Sequence, residues 1–154
     1  MKKLFIAAFI FVSTFGTSTF ADIKMGVILG FTGPIESLTP AMAASAELAF
    51  KEASDSGSLL GGKKISAVRA DSTCVDSAAA QSAAEGLVSG GVAAIMGADC
   101  SGVTGAIATN VAVPNGVVMI SPSATSPGLT DLADNGFFFR TCLLYTSPSP
   151  RDRG

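Results

Sequence analysis

The regular alternation of short apolar runs with stretches of helical spacing is what most constrains how this chain can fold. Ile23-Lys-Met-Gly-Val-Ile-Leu29 is a compact apolar run bounded by turn residues and reads as a buried strand. A helix follows. Thr39 is placed to cap it, Pro40 sits where a missing N–H costs nothing, and Met42, Ala46, Ala49, Phe50 and Ala53 recur on one face. Gly57 ends that helix, and Gly61-Gly62 turns the chain into a second strand over residues 64–70. Asp71-Ser-Thr-Cys-Val-Asp76 is a polar loop ending in a helix cap. The next helix covers 77–89, with Ala80, Ala84, Leu87 and Val88 inward and Gly90-Gly91 as its stop. A third strand over 92–96, a helix over 101–111, a strand over 117–120 and the start of a fifth over 137–140 continue the series. Strands alternating with helices at this spacing predict an α/β fold, a doubly wound parallel sheet covered on both faces.

The two ends depart from that pattern. Lys2 and Lys3 precede an apolar run that reaches Phe15, and Thr19 and Ala21 place small residues before a cleavage point. Residues 1–21 therefore read as a secretory signal peptide, too short for a stable membrane span. A buried N-terminal helix is the alternative. At the other end, Cys142-Leu-Leu-Tyr-Thr-Ser-Pro-Ser-Pro-Arg-Asp152 resembles, residue for residue, one reading frame of a transposase adapter used in preparing DNA sequencing libraries. Residues 142–154 are accordingly expected not to be native and not to extend the fold, although a natural Pro/Ser-rich linker has similar composition. The domain proper is then residues 22–141, one domain at most.

Composition narrows the chemistry. With 48% hydrophobic and 14% charged residues, the chain has the means to build a core. It has no histidine and no tryptophan, which removes the commonest acid–base group and the commonest metal ligand together. Residues 22–141 carry six basic against eleven acidic side chains, a balance of −5 without basic clusters, which argues against nucleic acid as a partner. Cys74 and Cys100 remain as an even pair in an exported chain and read as a disulfide. A nucleophilic Cys100 would lack any histidine to activate it. Gly26, Gly30 and Gly33 follow a strand, but their spacing does not fit the dinucleotide fingerprint G-x-G-x-x-G.

In an open parallel sheet, ligands bind beyond the carboxyl ends of the strands, where the strand order switches. Three polar or glycine-rich loops emerge there: residues 30–39, 97–102 and 121–126. Ser101 in Gly97-Ala-Asp-Cys-Ser-Gly102 offers a hydroxyl and an N–H at the positive end of a helix, which suits a carboxylate. Thr125 in Ser121-Pro-Ser-Ala-Thr-Ser126 offers a second such pair, and Ser123 a free carbonyl for an ammonium group. Singly, Ser101 also reads as a helix cap and Thr125 as a turn hydroxyl. Asp99 beside a carboxylate site is awkward, and its side chain is expected to face solvent or cap a loop.

Thr32-Gly-Pro34, the acidic loop with Cys74, the segment from Gly97 to Ser101, Ile120-Ser-Pro-Ser-Ala-Thr125 and Phe139-Arg-Thr141 form an ordered set. Together they resemble the leucine/isoleucine/valine-binding proteins, type I periplasmic binding proteins that serve branched-chain amino-acid importers. The resemblance implies the N-terminal lobe of a two-lobed binding protein, truncated, with the second lobe missing. It also implies that Ser101 and Thr125 hold a ligand carboxylate and that the Ser123 carbonyl meets its ammonium. Leu38 stands where leucine binders often carry a tyrosine. Capture of a small aliphatic amino acid or amide in the periplasm and delivery to an inner-membrane ABC permease would follow. No catalysis, cofactor, metal, nucleic acid or oligomer is expected. The alternative is a sensor or receptor domain of the same fold, which a neighbouring kinase gene rather than a permease gene would favour. An exported enzyme would need an acid–base pair that the sequence does not offer.

Overall fold

The computed structural model describes residues 22–142. The expected signal peptide, and the tail beyond Cys142, lie outside them. Eight main elements follow in order: β1 Ile23–Leu29, α1 Thr39–Asp55, β2 Ile65–Asp71, α2 Ser77–Ser89, β3 Ala94–Gly97, α3 Ser101–Ile107, β4 Val118–Ser121 and β5 Phe138–Arg140. The strands form one five-stranded sheet in the order β2-β1-β3-β4-β5. Every pairing is parallel. This is the doubly wound α/β sheet that the alternation predicts.

The reversal of strand order decides where the helices go. The chain steps outward from β1 to β2, then crosses back over β1 to β3 and continues the other way. Crossovers between parallel strands are right-handed, so reversing the direction of travel moves the helix to the opposite face. Val27 and Leu29 accordingly pack with Ala43, Met42 and Phe50 of α1. Ile28, one residue out of phase, joins Ala80, Ala84, Leu87, Ile107 and Met119 on the other side. The fourth to seventh residues of β1 are all buried, as a central strand covered on both faces should be.

Several boundaries differ from those expected, each for a local reason. The third strand starts at Ala94 because Val92 belongs to the end of α2. The Gly91 amide donates to the Val88 carbonyl, and the Val92 amide donates to the Leu87 carbonyl. That pairing is a Schellman cap, with Gly91 left-handed at φ +79° and Val92 packed in the core near Leu87. The helix expected over 101–111 changes at Ala108 into a π-helical turn, Ala108–Ala112. The widening falls just before Pro114, which has no N–H and whose ring crowds the carbonyl four residues back. Thr39 does not cap α1. Leu38 holds the cap position without a side-chain bond, and the fully buried Thr39 hydroxyl turns back to the Gly30 and Glu36 carbonyls at 3.2 and 3.3 Å. Asp76 does cap α2, accepting from the Ala78 and Ala79 amides at 2.9 and 3.0 Å. Ala49, expected inward, is exposed, while Ala43 and Ser54 are buried in α1.

Two constraints lock the carboxyl edge of the sheet. Cys74, after β2, is bonded to Cys100, before α3, with Cα atoms 5.2 Å apart. Since β1 lies between β2 and β3, this bond spans the loop that leaves β1. A Cβ on Gly30 would sit 3.2 Å from the Cys74 Cβ. The second constraint is Gly97, at φ +137°, where a Cβ would overlap the Ile28 carbonyl.

Closing 26 positions of chain with the disulfide should contribute on the order of 3.5 kcal/mol by restricting the unfolded state. Urea unfolding of the double variant Cys74→Ser/Cys100→Ser should show a loss of that size, and an unchanged midpoint would remove the bond from the account. Gly97→Ala should lower stability by about 3 kcal/mol or more, from steric overlap and a forbidden φ together. Gly86→Ala is the control, since nothing lies within 4 Å of a Cβ there. On a helix interior it should be neutral or stabilising by up to about 1 kcal/mol. Equal melting of the two variants would contradict the close packing of Gly97 on β1.

Candidate ligand-binding site

The switch in strand order falls between β1 and β3, so the loops after these strands, and after the neighbouring β4, share one edge. Asp99 joins them. Its side chain is 4% exposed. One carboxylate oxygen accepts from the Gly30 amide at 2.8 Å, the other from the Cys100 amide at 2.9 Å and the Ser72 hydroxyl at 3.5 Å. Its backbone carbonyl takes the Ser123 hydroxyl at 3.1 Å. The expected solvent-facing Asp99 is corrected here. It caps loops, as one alternative held, but from inside the protein, with its negative charge met by amide dipoles.

The loop after β4 is tied to the loop after β3 by short bonds. The buried Ser121 hydroxyl donates to the Ala98 carbonyl at 2.5 Å and accepts from the Ala124 amide at 3.0 Å. Ser101 is the first residue of α3, and the cap position belongs to Cys100, so the hydroxyl is not spent on capping. Ser101 Oγ instead accepts from the Ser126 amide at 3.1 Å. A hydroxyl that accepts still has its proton to give. Thr125 is exposed, and among the described residues neither its hydroxyl nor its amide has a partner. The turn role is filled by Ser126, whose side chain accepts from the Gly128 amide at the start of a short 3₁₀ turn.

Ser101, Ser123 and Thr125 are thus brought together by hydrogen bonds between two loops. Among the described residues, nothing donates to the Ser123 carbonyl, so an acceptor remains open on the same loop as Thr125. Leu38 stands apart from this group. It ends the first loop just before α1, and it is 61% exposed. Hydroxyls, an amide and a carbonyl, without an acid–base pair, can bind and orient a polar head group. On the β2 side of the edge, Asp71 closes the Thr32 turn. Burial pushes its carboxyl up, but bonds from the Thr32 hydroxyl and from the Thr73 and Thr32 amides outweigh that and hold it below the usual range.

Arg140 is the other residue whose role the sequence left unassigned. From β5 its guanidinium reaches the Ala124 and Ser126 carbonyls at 3.2 and 2.8 Å and the Thr130 hydroxyl at 2.8 Å. No group of three or more His, Cys, Asp or Glu among the described residues is placed to hold a metal ion.

Known proteins resemble this chain in sequence and in fold. The Leu/Ile/Val-binding protein homolog 3 of Brucella melitensis is 31% identical over 142 residues, 92% of this chain and 38% of its own length. Among solved structures, the branched-chain amino acid transporter substrate binding protein LivJ from Streptococcus pneumoniae, in complex with isoleucine, superposes with a TM-score of 0.72. It is 33% identical and is matched over 80% of this chain and 34% of its own. An ABC transporter substrate-binding protein from Desulfitobacterium hafniense in complex with Leu gives a TM-score of 0.66 at 30% identity, over 78% of this chain and 34% of that one. The chain spans about a third of the length of these relatives. The family model described as periplasmic binding protein matches residues 22–148, and the chain belongs to that family.

Proposed function

We propose that the chain provides one wall of a site for a small aliphatic amino acid, captured in the periplasm and passed to an inner-membrane ABC permease. One observation carries this reading. The bond from the Ser126 amide to Ser101 Oγ puts the Ser101 hydroxyl beside Thr125 while leaving donors on both residues open. Two neutral hydroxyls and an amide suit a carboxylate, and the Ser123 carbonyl alongside suits an ammonium. Together they match the common part of every α-amino acid. The named ligands of the similar structures, isoleucine and Leu, support the aliphatic class. Leu38 at the same edge would meet the side chain, as an apolar surface without hydrogen-bonding demands.

Further support comes from what surrounds the site. Binding and release without covalent chemistry is the simplest use of the hydroxyls, amide and carbonyl at this edge. The leader-like segment over residues 1–21 agrees with export, and a disulfide between Cys74 and Cys100 agrees with an oxidising compartment. A small-molecule site buries roughly 70–90% of its ligand. A single wall covers only one side, so this chain should bind weakly, and a second lobe closing on a hinge would supply the remaining cover.

Titration of the ¹⁵N-labelled chain with leucine and isoleucine is the test. Shifts should centre on the amides of Ser101, Thr125 and Ser126. In Ser101→Ala/Thr125→Ala the ligand would lose two charge-assisted hydrogen bonds of about 1.5–3 kcal/mol each, so affinity should fall by about 100-fold or more. Unchanged affinity in that variant, or saturable shifts elsewhere on the fold, would place the site away from these loops.

A further inference from the structure

Arg140 contacts no atom proposed to touch a ligand, yet its bonds bracket Thr125, whose amide and hydroxyl have no partner among the described residues. One terminal nitrogen, Nη1, donates to the Ala124 carbonyl and to the Ser126 carbonyl, the residues on either side of Thr125. The other, Nη2, holds the Thr130 hydroxyl further along the same loop. The Ala124 carbonyl also takes the Cys142 thiol at 3.4 Å, a weaker donor. We infer that Arg140 is the positioning residue of the amino-acid site, aiming the Thr125 amide and hydroxyl outward by gripping the peptide groups around them. The inference rests on the reading of Ser101 and Thr125 as carboxylate donors.

The peptide joining Ala124 to Thr125 is trans. In a planar trans peptide the carbonyl and the amide point in opposite directions. With the Ala124 carbonyl drawn to the guanidinium, the Thr125 amide must face away from it. The following peptide is fixed from its other end, since the Ser126 amide donates to Ser101 Oγ. Both peptides flanking Thr125 therefore have set orientations, and neither uses the Thr125 amide or hydroxyl. The planar fork of arginine is what allows one side chain to serve three acceptors at once. A lysine ammonium at the same place is a point donor on a flexible stem and cannot hold that pattern.

Position on the sheet gives the grip its stiffness. Arg140 closes β5, in register with Ser121 of β4, and the Thr141 amide donates to the Ser121 carbonyl at 3.1 Å. The loop of residues 122–126 leaves β4 at Ser121 itself. Anchor and loop thus spring from neighbouring points of one ladder, and the guanidinium spans the gap between them.

The test uses the full chain with Arg140→Lys and Arg140→Gln, read by amide signals and by amino-acid titration. Wild type should show the Thr125 and Ser126 amides as sharp, single resonances. In Arg140→Lys both should shift or broaden while signals of α1 and α2 stay in place, and leucine affinity should drop by about ten-fold, the loss of one charged hydrogen bond. Arg140→Gln should lose at least as much. If Arg140→Gln does not fold, Arg140→Lys decides alone. Unmoved Thr125 and Ser126 amides in a folded Arg140→Lys would overturn the inference, as would wild-type leucine affinity. If wild type binds no amino acid, the proposed ligand fails. The positioning role then stands or falls on the amide signals, which need no ligand.

Discussion

The Asp99 carboxylate is held by the Gly30 amide on one oxygen and by the Cys100 amide and Ser72 hydroxyl on the other. These partners belong to the loops that follow β1, β3 and β2, and the Asp99 carbonyl adds the loop after β4 through Ser123. A charge this deeply buried would be strongly unfavourable without such donors. It therefore requires the loops after β1, β2 and β3 to be in place at once. The arrangement converts a cost of burial into a condition on geometry: the edge is either assembled or the carboxylate is unsatisfied. The proposed site leans on that condition, because Ser101 opens α3 directly after Asp99 and Cys100, and the Thr125 loop is bonded to the Asp99 carbonyl and to Ser101.

The disulfide and Gly97 act on the same edge by different means. Cys74–Cys100 limits the unfolded chain, whereas Gly97 lets β3 lie against Ile28 at a distance that no side chain would permit. Close approach of β3 to β1 is what brings residue 99 within reach of Gly30. The three devices thus differ in what they do there. The glycine permits the backbone turn at the end of β3, and the carboxylate gathers loops. The covalent bond ties the loop after β2 to the start of α3. Parallel sheets gain this kind of edge without extra machinery, since all strands deliver their loops to the same side.

How much of this could be read in advance depended on the range of the interaction. The strands, the helices and the Asp76 cap rest on spacing within a few residues, and they were legible. Boundaries slipped where a local motif competed with the pattern: Val92 was claimed by the end of α2, and the last turn of the third helix widened before Pro114. Thr39 had the right residue type for a cap but found carbonyl partners across the loop. For Asp99, loop capping was one of two open readings, and its partners could not be named. Its partners Gly30 and Ser72 are 69 and 27 positions away. No local spacing encodes such contacts, so only the sheet order could reveal them. Arg140 was visible only as a letter in a family-like motif, because its acceptors are backbone carbonyls and a hydroxyl, which carry no sequence signature of a partner.

The candidate residues share a feature that bears on affinity. Each is fixed through an atom that the proposed ligand does not need. Ser101 is held by a lone pair and keeps its proton. Ser123 is held by its hydroxyl and keeps its carbonyl. Thr125 is held by its neighbours' carbonyls and by the Ser126 amide, and keeps both donors. Ordering a loop upon binding subtracts from affinity, and ordering it beforehand removes that cost. A pre-set head-group site built from neutral groups also avoids burying a second full charge next to Asp99. An arginine placed to grip the ligand carboxylate directly would be drawn toward Asp99 instead. The Arg140 fork is occupied by the Ala124 and Ser126 carbonyls and the Thr130 hydroxyl. Its positive charge can then favour a bound carboxylate without competing with the hydroxyls for it. On the proposed reading, the loop is both insulation and scaffold, with the Arg140 guanidinium turned to the protein rather than to the ligand.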